Sequence, residues 1–419
     1  MTYPALIKCL TNGYSFSFLK RDLLSGITVA IVAIPLSIAF AIASGATPTT
    51  GLFTAIIGGF IVSTLGGSKF NISGPAGAFI GVIFSIISIH GYNGLLISTF
   101  LAGIFLFLMS IFKLGRFVEK IPNVVVIGFS LGLGIDIFSG QIPDFLGFHC
   151  QGIPNFIKKW IAYLQHIKDI NISSLLIGTI TIISALFVRK KFPKLPAFLI
   201  AILISSIITE ICCLKIETIY SRFGYIHIET PDIQWNILAE VEHPTHILQY
   251  LFPALTIALL AGIEALLAAT IADKMTNTTH NSNFELFGQS IANISLPLLG
   301  CLPVAGTTAR TIVNVKSGAK SPIAGMSHSV FILIFVMIFA NLISQINMPT
   351  IAGILIIVAI DMMSFKKIHN VIKTNTKTNI AILFLTAVFV PTIGIVYAIL
   401  INTTLYYLNQ FLIQKRIKK

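Results

Sequence analysis

Phe70-Asn71-Ile72-Ser73-Gly74-Pro75-Ala76 and Leu302-Pro303-Val304-Ala305-Gly306-Thr307-Thr308 are two extended polar-glycine stretches, each leading into a short apolar segment. A helix that begins partway across a membrane leaves its first N–H groups without intrahelical acceptors and presents a positive dipole end. Such ends attract anions. Working outward, apolar segments are read at about 23–44, 50–65, 76–90, 94–112, 122–140, 171–189, 196–214, 249–272, 285–299, 307–316, 321–344, 350–363, 378–390 and 392–413. The two stretches precede the third and the tenth. In a seven-plus-seven arrangement these are equivalent positions, and an odd repeat length inverts the second copy. Paired broken helices at matching places point to a transporter's midplane site.

Composition agrees with a membrane solvent. Hydrophobic residues make up 55% of the 419-residue chain and charged residues only 10%, with a mean hydropathy of +0.90. A soluble domain carries about 25% charged residues, and a membrane barrel would alternate apolar and polar positions. The expected fold is therefore an all-α polytopic membrane protein. The first apolar segment runs past the length of a signal peptide's core and leads straight into further segments.

The net charge of +13 does not indicate nucleic acid. Of the 28 Lys and Arg residues, 21 fall in the N-terminus, the tail and the loops that follow even-numbered segments. By the positive-inside rule both termini are cytoplasmic. The expected organisation is a cytoplasmic N-terminus at 1–21, a transmembrane domain at 22–413 and a cytoplasmic tail at 414–419, in a plasma or inner membrane. Cys9, Cys150, Cys212, Cys213 and Cys301 form neither a metal spacing nor a disulfide framework. No cofactor is expected.

Several residues could carry chemistry. Ser73 and Gly74, with Gly306 in the second stretch, allow a ligand close to the backbone. Pro75 suits a first helical turn, where its missing N–H costs nothing. Thr307 and Thr308 can cap the tenth segment or donate hydroxyl hydrogen bonds. Arg310 follows within that segment, and an arginine inside the bilayer costs at least about 2.5–3.5 kcal/mol unless compensated. It either binds substrate or pairs structurally with a carboxylate such as Glu264, and the two roles are compatible. Glu264 is either a coupling group or half of that pair. Asp136 lies toward the outer end of the fifth segment. Phe40 lines a pocket or fills a packing gap. His328 is a proton relay or, the favoured reading, a helix contact.

Two patterns are decoys. Gly128-Phe129-Ser130-Leu131-Gly132 matches a hydrolase nucleophile elbow, which requires a strand–turn–helix context. It lies instead in an apolar helix, where small residues serve close packing. Glu240, Glu242, His243 and His246 resemble a metal cluster, but a solvated loop explains them more simply. The chain is not read as an enzyme, and no metal is expected.

The ordered motifs are familiar. Asp22-Leu23-Leu24-Ser25-Gly26-Ile27-Thr28-Val29-Ala30, Ile34-Pro35 and Ala39-Phe40-Ala41 resemble the first helix of the sulphate permease (SulP) family of anion transporters. Gly66-Gly67-Ser68 and Ile72-Ser73-Gly74-Pro75-Ala76-Gly77-Ala78-Phe79 are similar to its third-helix signature. His280-Asn281, Glu285-Leu286, Gly288-Gln289, Ala292-Asn293-Ile294 and Gly306-Thr307-Thr308-Ala309-Arg310-Thr311 resemble its ninth and tenth segments.

The resemblance implies fourteen helices in a seven-plus-seven inverted repeat. Its core is at about 22–112 and 249–344, and its gate at about 122–214 and 350–413. It implies a homodimer working by elevator-like alternating access. Carried over by position, the anion site comprises Phe40, Ala76, Thr307, Thr308 and Arg310, with Glu264 as the carboxylate facing it. Three departures matter. Leu36 replaces a common Gln, and Ala76 stands where some bicarbonate-transporting members carry Thr. Arg310 and Glu264 both differ from sodium-coupled bicarbonate members, which lack the arginine and have a shorter acid. The chain reaches Lys419 without the cytoplasmic STAS domain of most members.

The expected function is secondary transport of small inorganic anions, sulphate before bicarbonate, by proton coupling or exchange. A dicarboxylate carrier, a nucleobase permease of the same architecture and an anion channel are the alternatives.

Overall fold

The computed structural model describes residues 3–115, 121–150, 153, 155–193, 195–226, 233–235, 237 and 244–417. The cluster of Glu240, Glu242, His243 and the side chain of His246 lies outside the described residues, as do the last two residues of the tail.

Ser15 caps the N-terminus of the first long helix by accepting from the Phe18 N–H. The chain then forms α1 (Ala5–Thr11), α2 (Phe16–Ala43), α3 (Pro48–Phe53), a π turn (Thr54–Gly58) and α4 (Gly59–Leu65). Strand β1 (Ser73–Gly74) and a 3₁₀ turn (Gly77–Phe79) lead into α5 (Ile80–Ile111). Next come α6 (Asn123–Leu146), α7 (Phe156–Gln165), α8 (Ile172–Lys191), α9 (Ala197–Ile211) and α10 (Ile219–Phe223). The second half contains α11 (Pro244–Thr276), α12 (Ser282–Leu298), β2 (Ala305–Gly306), α13 (Thr308–Lys316) and α14 (Ile323–Ser344). It closes with α15 (Met348–Met363), α16 (Phe365–Thr374), α17 (Lys377–Ile393) and α18 (Ile395–Ile417).

Among the described residues, eight helical stretches are long and apolar enough to cross a membrane. The segments read at 76–90 and 94–112 join into one helix, but Gly91 breaks its geometry with φ +70° where the sequence placed the boundary. Two amphipathic helices, α7 and α16, occupy stretches that apolar-run reading left as loops, because neither is continuously apolar.

Packing falls into two groups. In one, α5 lies against α11 and α12, while α14 lies against α2 and α4. In the other, α6 packs on α15 and α17, and α8 on α9 and α15. The α6–α17 contact explains the false nucleophile elbow. A Cβ on Gly128 would sit 2.4 Å from the Leu383 carbonyl oxygen, and one on Gly132 2.6 Å from that of Ala387. The glycines let two helix backbones approach. Ser130 bonds back to the Val126 carbonyl at 3.0 Å and activates nothing.

An ionic clamp fixes one end of the second group. Arg222 of α10 pairs with Glu217 and reaches Asp144 at the end of α6 at 2.8 Å, while Met348 N–H donates to the Glu217 carbonyl. The hydrogen bonds from Arg222 hold the Glu217 carboxyl below the usual carboxylate range. Its contribution to stability is thus complete above the unfolded-state value of 4.5 and is lost as pH falls through the lower folded value. The melting temperature of purified protein is expected to drop on acidification below about pH 4.5, and Glu217→Gln should remove part of that drop. An acid profile unchanged by the substitution would show that the clamp contributes nothing.

Candidate anion site

The two broken stretches meet. Ser73 and Gly74 pair antiparallel with Gly306 and Ala305, forming a two-residue ladder buried inside the protein. The ladder is extended by the Thr307 N–H, which donates to the Ile72 carbonyl at 2.9 Å. Helices α5 and α13 therefore start from adjacent points in the interior.

The exit from each strand differs from the sequence expectation. Pro75 is not in a helical turn: Ala76, at φ −120° and ψ 142°, is the last extended residue before the helix begins at Gly77. A residue before proline is driven to extended geometry, which keeps Gly74 in the ladder and leaves the Pro75 carbonyl free to accept. Thr307 precedes α13, but its hydroxyl does not cap that helix. It donates to the Ile72 carbonyl at 3.0 Å, so strand pairing takes it instead. Thr308 is the first residue of α13 and is half-buried.

Arg310 is 1% exposed. Its Nη2 donates to Ser37 Oγ at 3.1 Å and to the Pro75 carbonyl at 3.4 Å. Its Nε and Nη1 have no partner among the described residues. The expected ion pair with Glu264 is not formed: Glu264 is half-buried on α11 and makes no hydrogen bond or ion pair among the described residues. The guanidinium lies over Gly74, where a Cβ would come within 2.1 Å of Nη1. Phe40 is buried, and its ring edge lies 3.3 Å from the position of a Cβ on Gly77. Phe40, Ser73, Gly74, Ala76, Gly306, Thr307, Thr308 and Arg310 thus gather around the starts of α5 and α13.

A buried charge is tolerated when it is paired or its hydrogen bonds are met. Among the described residues Arg310 has no ion pair, and only its Nη2 is hydrogen-bonded. Two guanidinium nitrogens without a partner among the described residues, beside two helix N-termini, offer a candidate cradle for an oxyanion.

The frame that holds this cradle was largely missed from sequence. Glu285 of α12 is buried and accepts from Gly67 N–H (3.0 Å), Ser68 N–H (2.9 Å) and Asn71 Nδ2 (2.5 Å). Thr311 Oγ1 donates to Asn71 Oδ1 at 3.1 Å and accepts from Ile72 N–H at 3.0 Å. Gln289 Nε2 donates to Ser73 Oγ at 2.8 Å. Asn314 Nδ2 donates to the Phe70 carbonyl at 2.9 Å, and its Oδ1 accepts from Ser25 Oγ at 2.7 Å. Polar residues inside apolar segments were the available signal, since each needs a partner there.

Similarity to known proteins gives the family. The sulfate permease family matches residues 19–386. The chain belongs to that family, a family of anion transporters. Among its relatives, YvdB of Bacillus subtilis, provisionally named a sulfate transporter, is 38% identical over 93% of this chain and 74% of its own length. The bicarbonate transporter BicA of a Picosynechococcus species is 30% identical over 86% of this chain. The chain spans 65% of that protein's length. Among solved structures, the transmembrane domain of a cyanobacterial BicA superposes with a TM-score of 0.78 at 27% identity, covering 93% of this chain and 98% of that one. The murine anion transporter Solute Carrier 26 family member A9 shares the fold alone, with a TM-score of 0.83 at 13% identity over 97% of this chain and 71% of that one. All four are named as transporters, which agrees with the non-enzymatic reading of the sequence.

Proposed function

We propose that the chain carries small inorganic anions across a plasma or inner membrane, sulfate first and bicarbonate second, with the anion held by Arg310 and the N-termini of α5 and α13. The observation that carries this reading is a fully buried guanidinium with two unused donors beside two helix starts. Similarity to YvdB supports sulfate, and similarity to BicA supports bicarbonate. The fixed arginine and the long Glu264 side chain argue against sodium coupling.

The wider architecture belongs to the same proposal. Fourteen spans form a seven-plus-seven inverted repeat, with both termini cytoplasmic and two copies assembled as a homodimer. The group containing α2–α5 and α11–α14 acts as the moving core. The group containing α6, α8, α9, α15, α17 and α18 acts as the gate, so that the anion rides with the core. The division of the packing into two groups supports this reading.

Glu264 is the coupling group in this scheme. It has no partner among the described residues, so a proton can enter or leave without breaking a salt bridge there. Uptake into proteoliposomes from a panel of radiolabelled anions is expected to saturate, to show trans-stimulation and to respond to a proton gradient. Replacing sodium by potassium at fixed pH should change the initial rate little. Glu264→Gln is expected to flatten the pH dependence of uptake while leaving anion affinity within a few-fold. Strict sodium dependence would overturn the coupling assignment, and flux that never saturates would indicate a channel.

A further inference from the structure

Asp136 of α6 faces the half-helix that starts at the anion site. A Cβ on Gly81 would lie 2.2 Å from Asp136 Oδ2, so the carboxylate rests on the backbone of α5. Gly81 is four residues beyond Gly77, or about 6 Å further along the axis. The neighbouring Ile137 reaches within 3.5 Å of the Cβ position on Gly77 itself. A bare carboxylate here would oppose an anion in the cradle. Lys159 of α7 meets it instead, with Nζ 3.4 Å from Asp136 Oδ1, and the two side chains are only 14% and 21% exposed. Helix α7 is anchored by buried Tyr163, whose ring packs edge-on against Phe148 beyond the end of α6.

We propose that Asp136 and Lys159 are a pair of positioning residues that set anion affinity from outside the binding shell: Lys159 cancels the repulsion that Asp136 would exert on the bound anion. This rests on the anion-site reading above. Because both side chains are largely buried, each charge acts on the anion with reduced screening. The two residues therefore have opposite effects on affinity, which an ion pair serving only to hold α7 against α6 would not produce.

The test is equilibrium binding of radiolabelled sulfate to purified full-length protein, with melting temperature measured alongside. Lys159→Gln should weaken binding, and Asp136→Asn should tighten it, each on the order of tenfold. The double variant should return close to the parent. Single variants that weaken binding alike and lower the melting temperature alike would overturn the proposal in favour of a structural pair, as would two that leave affinity unchanged. Absence of sulfate binding by the parent protein, with none gained in Asp136→Asn, would overturn the sulfate reading of the site and the proposal with it.

Discussion

Replacing Arg310 by alanine is expected to weaken anion binding by roughly 30-fold to several thousand-fold, the equivalent of about 2–5 kcal/mol for truncating one partner of a buried charge contact. The fold should survive. Within the protein the guanidinium makes only two hydrogen bonds, to Ser37 and to the Pro75 carbonyl, and no ion pair among the described residues. Removing an uncompensated buried charge relieves a desolvation penalty that offsets the cavity it leaves. Arg310→Lys should fall between the two, because an ammonium keeps the charge but loses the planar fork. Binding isotherms together with melting curves separate the outcomes. Unchanged affinity in Arg310→Ala would remove this residue from the site, and a collapsed melting temperature would assign it a structural role.

The second large effect distinguishes two glycines on the same ladder. Gly74→Ala would place a methyl within 2.1 Å of Arg310 Nη1, the far end of a long side chain that can swing aside. The protein should stay folded, but the guanidinium would leave its position and uptake should fall by at least about tenfold, since small misplacements at a site are costly. Gly306→Ala meets the Asn71 amide at 2.4 Å and the α-carbon of Ala265 at 2.7 Å. Backbone cannot rotate away, so overpacking of about 1–3 kcal/mol is expected, with a lowered melting temperature as well as lost uptake. The contrast is visible in paired thermal and transport measurements. Equal melting temperatures for the two variants would contradict the packing account.

The fold was legible wherever the signal was continuous or punctuated by glycine and proline. The extended stretches at 70–76 and 302–308 announced two interrupted helices, and the structure pairs them through Ser73 and Gly306. Arg310 stood out because its cost in a membrane is large whatever its neighbours. Its partners did not. The expected match with Glu264 followed from charge alone, whereas the structure gives the guanidinium a serine and a carbonyl and gives the carboxylate no partner among the described residues. Thr307 looked like a helix cap from its position, yet cross-strand pairing with Ile72 claims its hydroxyl. Asn71, Glu285 and Thr311 form one hydrogen-bonded frame from separate places in the chain, and no local pattern brings together residues 214 and 240 positions apart. Helices α7 and α16 escaped reading because amphipathic surface helices lack a continuous apolar run.

The central claim is that an oxyanion sits between the starts of α5 and α13 against Arg310. Crystals soaked in selenate, the heavier analogue of sulfate, test it through the anomalous scattering of selenium. The expected result is a single strong peak within hydrogen-bonding distance of Arg310 Nε or Nη1, absent in Arg310→Ala crystals treated identically. A peak remote from both helix starts, or one that persists unchanged in the variant, would contradict it.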